Sequence, residues 1–504
     1  MNLHRSRTTG RRLLAAMAAA ALLPGVGLTV AAGPPGATAA SGPSGISNSF
    51  SGIWRDGAYT GTSLWDARNM MQMGWGASAT LNGHGVGIAL IDTGVSPVAN
   101  LRASQVVNGP DLSFESQAPN LRHLDTYGHG THMAGIMISS GQADGHHGLA
   151  TGAKLTSVKV GTANGTVDVS QVIAAIDWVV ENKNHDPAFP IRVINLSYGS
   201  GGNPSSTTDP LQFAVEQAWK AGIVVVAAAG NENKTMQSSP ATDPFILSVG
   251  AARTAGTPQN SDDTISTFTN GKKATRSIDL VAPGEGIFSL RVQGSNIDNA
   301  YPAARIDDNI FRGSGTSQAA AVTSAVVAVI LQARPTLTPD QVKKLLITSG
   351  TPLSGLDSYK RMINVNKALA TATPTSGQAG TWSNGTGLLE SARGPNHVVA
   401  NGVTLIGNNT IWGPFVPSTW ASQSAARTAW VGGVWNGKRL AADGWTGSSW
   451  ASKTWGPTTW AASSFSGSSW VDPNWSGRFW SGRFWSTGAW NGRFWSSSSW
   501  YSAL

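Results

Sequence analysis

Three short segments of the chain contain the residue types of an acyl-transfer site. In chain order they are Ile91-Asp92-Thr93-Gly94, His129-Gly130-Thr131-His132 and Gly315-Thr316-Ser317. An imidazole that is oriented by a carboxylate can take the proton of a serine hydroxyl, whose oxygen then attacks a carbonyl carbon. The sequence therefore offers Asp92 as the acid, His129 as the general base and Ser317 as the nucleophile.

Each segment taken alone has another interpretation. Asp-Thr-Gly also occurs in aspartic proteases, but these need a second such carboxylate, and the chain has no second Asp-Thr-Gly or Asp-Ser-Gly. His129 and His132 could pair as metal ligands, but no Glu-x-x-His context accompanies them. We interpret His132 as a packed structural histidine. Ser317 precedes an apolar helical run, where a serine is commonly a plain helix N-cap.

A fourth candidate, Asn231, follows an apolar run that ends at Gly230. An amide at the end of a buried strand could donate a hydrogen bond to an oxyanion, which contributes roughly 3–4 kcal/mol to transition-state stabilisation. A turn asparagine after a glycine is the alternative. Asp92 also follows an apolar run, and active sites of α/β folds gather at the carboxyl ends of parallel strands.

From residue 86 onward, apolar runs alternate with windows of helical spacing. The runs predict strands at residues 86–91, 155–160, 193–196, 223–229 and 246–250, and the windows predict helices at 171–182, 211–221, 316–334 and 338–348. Buried strands that alternate with helices indicate a parallel sheet covered on both faces. The predicted fold class is therefore α/β.

Six segments in this order resemble the subtilase family of serine peptidases, over about residues 80–370. Besides the three above, they are Val193-Ile194-Asn195-Leu196-Ser197-Tyr198-Gly199, Ala228-Ala229-Gly230-Asn231-Glu232 and Val281-Ala282-Pro283-Gly284. The resemblance implies a subtilisin-like three-layer fold with a mostly parallel sheet. It also implies that Ser317 is the nucleophile, His129 the base and Asp92 its orienting acid, with Asn231 and the Ser317 amide as the oxyanion hole.

The resemblance further implies where a peptide substrate binds. Ser197, Tyr198 and Gly199 resemble the strand that pairs with an extended peptide, and Ala228 and Gly230 resemble one wall of the specificity pocket. No cofactor is required for this chemistry. Structural calcium is frequent in the family, but no loop of this sequence is assigned to it, and no metal-ligating residue is predicted. The absence of cysteine excludes disulfides and a thiol nucleophile.

The first 40 residues predict an export signal. Four arginines precede an apolar run to about residue 32, and small residues surround a cleavage site at 37–40. A membrane anchor is the alternative, although Pro24 and Gly25 interrupt the run. The pair Arg11-Arg12 leaves twin-arginine export open beside the general route. We therefore expect a secreted, extracellular protein.

The C-terminal tail has an aromatic residue at every fifth position from Phe415 to Trp500, except at Ala425 and Leu440. A period of five fits neither a helix nor a strand, so the tail predicts a small repetitive module that is β-rich, or else disorder. The indoles either form the core of the repeat or stack on sugars. Residues 415–500 contain seven Lys and Arg and two Asp, so the tail carries a net positive charge. This charge favours binding to an anionic cell-wall polymer.

These observations predict five regions. They are a signal peptide (1–40), a short pro-region or start of the catalytic domain (41–80), a catalytic domain (81–372), a linker (373–395) and a Trp-rich repeat (396–504).

The predicted function is that of a secreted serine endopeptidase whose tail tethers it to cell wall or polysaccharide. We expect protein or peptide substrates, no nucleic acid, no transmembrane segment after signal removal, and a monomer. The alternative is an adhesion protein in which the peptidase domain is only a scaffold.

Overall fold

The computed structural model describes residues 61–437 and 493–494. Within this span it leaves out residues 118–120, 141–145, 202–206, 255–261, 273–275, 354–359, 376, 395–396, 401–402 and 432–433. The predicted signal peptide and most of the predicted Trp-rich repeat after residue 437 lie outside the described residues.

The described strands and helices alternate along most of the chain. The strands are β1 (Gly87–Asp92), β2 (Val106–Asp111), β3 (Lys154–Lys159), β4 (Ile191–Leu196), β5 (Tyr198–Gly199), β6 (Val224–Ala228), β7 (Leu247–Arg253), β8 (Thr264–Ile265), β9 (Leu280–Pro283), β10 (Ile287–Leu290), β11 (Ile310–Gly313), β12 (Thr351–Pro352), β13 (Arg361–Met362), β14 (Val399–Ala400), β15 (Val403–Thr404), β16 (Asn409–Thr410), β17 (Gly413–Pro414), β18 (Trp430–Val431), β19 (Val434–Trp435) and β20 (Arg493–Phe494). The helices are α1 (Leu64–Met70), α2 (His129–Ile138), α3 (Val169–Asn182), α4 (Pro210–Lys220), α5 (Asn296–Ala300), α6 (Thr316–Ala333), α7 (Pro339–Ser349), α8 (Val365–Ala370), α9 (Leu389–Arg393) and α10 (Pro417–Ala426).

A ten-stranded sheet forms the centre of the fold. Its order is β12-β13-β9-β7-β6-β4-β1-β3-β2, with β8 added beside β7. The strands from β2 to β13 along this path run parallel, whereas β8 and β12 pair antiparallel with their neighbours. Every residue of β1 and β6 is buried, as continuous apolar runs in a covered parallel sheet require. The predicted α/β fold with a mostly parallel sheet is confirmed.

Two pairs of helices cover the sheet. Helix α2 packs on α6, helix α3 packs on α4, and each pair also contacts the strands. By length and composition α6 would suffice to cross a membrane, but 89% of it is buried inside the protein, where it serves as a core helix. The start of α3 is fixed by a capping box, in which Asp168 accepts from Ser170 N and Gln171 reaches back to Asp168 N.

The beginning of the Trp repeat packs against α3. The side chain of Asp177 in α3 accepts hydrogen bonds from Trp420 Nε1 at 2.7 Å, Trp435 Nε1 at 2.9 Å and Ser424 Oγ at 2.6 Å. Trp430 Nε1 donates to Ala174 O of the same helix at 2.8 Å. These three indoles therefore pack against α3. Whether the indoles also form a core within the repeat itself stays a prediction.

A residue of the predicted linker also packs on α3. Arg393 Nε lies 2.7 Å from Asp168 Oδ2, and both side chains are almost fully buried. Arg393 also donates to the backbone oxygens of Gly407 and Asn409. The division into a catalytic domain, a linker and a repeat stays a prediction, but these contacts join residues 393–435 to α3.

Asp177 is expected to make folding stability depend on pH. Burial raises its pKa to about 6, despite the three hydrogen bonds that favour the charged form. An unfolded aspartate ionises near pH 3.9, so between about pH 4 and 6 the folded chain holds a proton that the unfolded chain releases. The free energy of unfolding should therefore fall as the pH rises through this window, by roughly 3 kcal/mol for a shift of about two units.

Urea unfolding at pH 4, 5 and 6 measures this effect. The Ser317→Ala chain, which should not digest itself, is compared with the same chain carrying Asp177→Asn, whose slope should be flatter. Asp308, whose side chain is 93% exposed, provides the matched control, because Asp308→Asn should leave the slope unchanged. Equal slopes with and without Asp177 would contradict the prediction.

Candidate active site

The predicted site residues lie at one edge of the sheet. Strands β1, β4 and β6 are parallel neighbours in the order β6-β4-β1. Asp92 ends β1, Ser197 follows β4 directly, and Asn231 lies three residues after β6. The carboxyl ends of parallel strands meet at the same edge, so the topology brings these three side chains to one end of the sheet.

Asp92 and His129 form a buried pair at this edge. Asp92 Oδ1 lies 2.8 Å from His129 Nδ1, and Thr93 N donates to the same oxygen at 2.8 Å. Burial raises the pKa of Asp92, while His129 and the Thr93 hydrogen bond oppose the rise. Because Nδ1 faces the carboxylate, Nε2 is the ring nitrogen that can take a proton from a nucleophile.

A second carboxylate, Asp125, holds β1 and α2 together. It accepts hydrogen bonds from Gly128 N, Thr131 N and Thr93 Oγ1, each at 2.7 Å. Thr93 Oγ1 in turn accepts from Gly130 N at 2.9 Å. Sequence reasoning missed Asp125. The N-cap of α2 is Gly128, three residues after Asp125, so no capping signal in the sequence singles out this carboxylate.

Ser317 lies in the first turn of α6. Its side chain is fully buried, and its Oγ has no hydrogen-bond partner within the described part of the chain. Helix α2, which begins at His129, packs on α6. The base and the nucleophile therefore lie in the first turns of two helices in contact. The N-terminus of α6 also presents backbone N–H groups that favour negative charge.

Asn231 is oriented by the residue before the serine. Its Oδ1 accepts from Thr316 N at 2.8 Å and from Thr316 Oγ1 at 2.9 Å. The amide is thereby turned so that Nδ2 is the group left to donate, and Nδ2 has no partner among the described residues. A Cβ on Gly315 would lie 3.1 Å from this Nδ2 and 3.6 Å from Ser317 N. The nearest atom to that position is Gln318 Oε1, at 2.8 Å, so the two nitrogen atoms and this oxygen surround one small space beside the glycine. The use of Asn231 Nδ2 and Ser317 N as an oxyanion hole stays a prediction.

The segment that resembles a substrate strand lies directly beside the serine. Ser197 Oγ donates to Ser317 O at 3.2 Å and accepts from Asn195 Nδ2 at 3.0 Å. Tyr198 and Gly199 form the short strand β5, which follows at once. The position of β5 suits the binding of an extended peptide by strand addition.

The two predicted pocket residues lie shortly before Asn231 in the sequence, at the end of β6. Ala228 ends β6 and is fully buried. Gly230 N donates to Thr316 Oγ1 at 3.0 Å. The φ of Gly230 is +107°, a conformation that favours glycine. Contact of Ala228 and Gly230 with a substrate stays a prediction.

The second histidine of the motif serves the packing of α2. His132 is fully buried, and burial lowers its pKa to about 3, so the ring is neutral at ordinary pH. Among the residues that the structure describes, no three His, Asp or Glu side chains are grouped so as to hold a metal ion.

Comparison with known proteins identifies the family. The sequence model described as the subtilase family matches residues 83–387, which include all four of Asp92, His129, Asn231 and Ser317. The chain belongs to the subtilase family. The match ends before the Trp-rich repeat.

Several named proteins are similar to this subtilase. Serine protease AprX of Bacillus subtilis (strain 168) is 35% identical over 293 residues, which are 56% of this chain and 63% of AprX. The extracellular serine proteinase of Thermus sp. (strain Rt41A) is 34% identical over 275 residues, 54% of this chain and 57% of that protein. Subtilisin Savinase of Lederbergia lenta is 32% identical over 282 residues, 55% of this chain and 88% of Savinase.

The subtilase thus spans less than two thirds of the length of AprX and of the Thermus protein. Among solved structures, a cold adapted subtilisin-like serine proteinase is 28% identical. The match covers 60% of this chain and 98% of that one, with a TM-score of 0.46.

Proposed function

We propose that this subtilase is a secreted serine endopeptidase that hydrolyses peptide bonds through an acyl-enzyme. The observation that carries the proposal is the 2.8 Å contact between Asp92 Oδ1 and His129 Nδ1 at the carboxyl end of β1. The proposal is further supported by the packing of α2, which begins at His129, on α6, whose first turn contains Ser317. The four chemical groups of a serine peptidase are then supplied by one edge of the sheet.

In the first half of the reaction, His129 Nε2 takes the proton of Ser317 Oγ while that oxygen bonds to the substrate carbonyl carbon. The carbonyl oxygen becomes an oxyanion that accepts hydrogen bonds from Asn231 Nδ2 and Ser317 N. His129 then returns the proton to the leaving amine as the carbon–nitrogen bond breaks. In the second half, water repeats these steps on the ester, and the acid product leaves with Ser317 restored.

Labelling by a serine-directed phosphonate tests this proposal. The reagent should modify the exported chain at Ser317, and the unlabelled chain should cleave casein. No modification at Ser317 together with intact casein would refute the peptidase proposal. Full biological function of a Ser317→Ala chain would instead favour the adhesion alternative.

Secretion is the second part of the proposal. It is supported by the composition of residues 1–40 and by the similar Thermus protein, which is named an extracellular proteinase. Tethering to cell wall or polysaccharide is the third part. Since Trp420 and Trp435 are buried against α3, tethering depends on the indoles from Trp445 onward.

Sedimentation with insoluble cell wall tests the tethering. The Ser317→Ala chain should sediment with the wall, and the same chain with Trp445, Trp450, Trp455 and Trp460 changed to serine should do so less. Equal partitioning of the two chains would remove the tethering proposal and leave the peptidase proposal intact.

A further inference from the structure

A short piece of the tail lies on the proposed substrate strand. Strand β20 pairs antiparallel with β5, with Arg493 opposite Gly199 and Phe494 opposite Tyr198. Strand β5 does not belong to the ten-stranded sheet, and its strand partner among the described residues is β20. A backbone segment from the chain's own C-terminal region therefore occupies the place where strand addition would put a peptide.

The direction of β20 agrees with that of a peptide on its way to the nucleophile. Arg493 lies opposite Gly199 and Phe494 lies opposite Tyr198. As β20 continues, it therefore runs toward Ser197. Ser197 Oγ donates a hydrogen bond to the backbone oxygen of Ser317 at 3.2 Å. The carboxyl-terminal direction of β20 thus leads toward the nucleophile.

The sequence around β20 occurs three times in the tail. Gly-Arg-Phe-Trp-Ser stands at residues 477–481, 482–486 and 492–496. Other pentads of the repeat keep the indole but differ between the indoles, as in Thr446-Gly447-Ser448-Ser449. The two other copies therefore have the same sequence as the segment that pairs with β5.

We propose that the Gly-Arg-Phe-Trp-Ser segments are intramolecular ligands of β5 that compete with protein substrates. The inference rests on the proposed function, which makes β5 the substrate strand. A ligand tethered on the same chain acts at an effective concentration that can reach the order of millimolar. A segment that binds with a dissociation constant of about 0.1 mM then raises the apparent KM for a substrate about tenfold.

Proline substitution in the full chain tests the competition. Proline has no N–H and cannot complete an antiparallel pair. The test chain replaces Arg-Phe by Pro-Pro in each copy, at Arg478, Phe479, Arg483, Phe484, Arg493 and Phe494. The matched control chain carries six prolines at tail serines outside the copies, namely Ser448, Ser449, Ser463, Ser464, Ser497 and Ser498.

Two measurements read out the result. For hydrolysis of a short chromogenic peptide, the test chain should show a KM about tenfold lower than the unchanged chain, with equal kcat, and the control chain should match the unchanged one. In a Ser317→Ala background, the amides of Tyr198 and Gly199 should exchange hydrogen faster in the test chain. That background keeps the tail intact, so the exchange does not depend on activity.

The outcomes separate this inference from the proposed function. Equal KM and equal exchange in all three chains, with Ser317 labelled by phosphonate in the active ones, would overturn the inference alone. Absence of both labelling and hydrolysis in every chain would overturn the peptidase proposal, and with it competition for a substrate.

Discussion

Ser317→Ala is expected to lower kcat for casein or a chromogenic peptide by about 10⁶-fold, the order found when the nucleophile of subtilisin is removed. The substitution deletes the attacking oxygen but leaves Asn231 Nδ2 and the Ser317 backbone N–H in place, so KM should change little. Alanine is a good helix former, and Ser317 lies in the first turn of α6, so the fold should be retained.

Initial rates measure the loss, and circular dichroism verifies the fold of the variant. Ser422→Ala is the matched control, because this serine of α10 is exposed and its hydroxyl donates to the backbone oxygen of Ser418, far from the proposed site. The control should keep the full rate. A Ser317→Ala chain that retained a tenth of the original kcat would show that another group is the nucleophile.

Asn231→Ala should produce the second largest loss, about 10²–10³-fold in kcat, the range for deleting one oxyanion-hole donor in subtilisin. The charge on the oxyanion exists only in the transition state and the tetrahedral intermediate, so KM should stay nearly constant. Asn231→Asp should be at least as impaired. It keeps an acceptor for Thr316 but replaces the donor with a carboxylate oxygen.

Thr316→Ser is the matched control for the oxyanion donor. Serine retains both the N–H and the hydroxyl that orient Asn231 Oδ1, so kcat should stay close to that of the unchanged chain. Steady-state kinetics on one chromogenic peptide separate kcat from KM for all of these variants. A kcat within threefold of the original in Asn231→Ala would place the oxyanion donors elsewhere.

The fold could be predicted where apolar runs are continuous. The strands expected at 86–91 and 223–229 are found as β1 and β6. All six residues of β1 and all five of β6 are buried, and a fully buried strand needs a continuous apolar run that is easily seen in the sequence. Strand β2 was missed. Its sequence, Val-Val-Asn-Gly-Pro-Asp, starts with only two apolar residues and contains a glycine and a proline, which are typical of turns.

The site could be predicted in part for a related reason. Motifs single out Asp92, His129 and Ser317, because each stands in a short segment of recognisable composition. Asp125 has no such segment, and its role depends on contacts that only the folded chain makes with Thr93 and Thr131. Similarly, the five-residue period of the tail does not predict that Trp420 donates a hydrogen bond to Asp177, because the two residues are 243 positions apart in the sequence.

The contacts between α3 and residues 393–435 determine where this protein can be shortened. A fragment that ended at residue 387, with the family match, would lack the guanidinium beside Asp168 and the indole and hydroxyl donors beside Asp177. Asp168 and Asp177 would then lose these partners, and the surface of α3 that the segment now covers would be exposed to water. For recombinant production, the smallest stable unit of this subtilase should therefore be longer than the domain its relatives share.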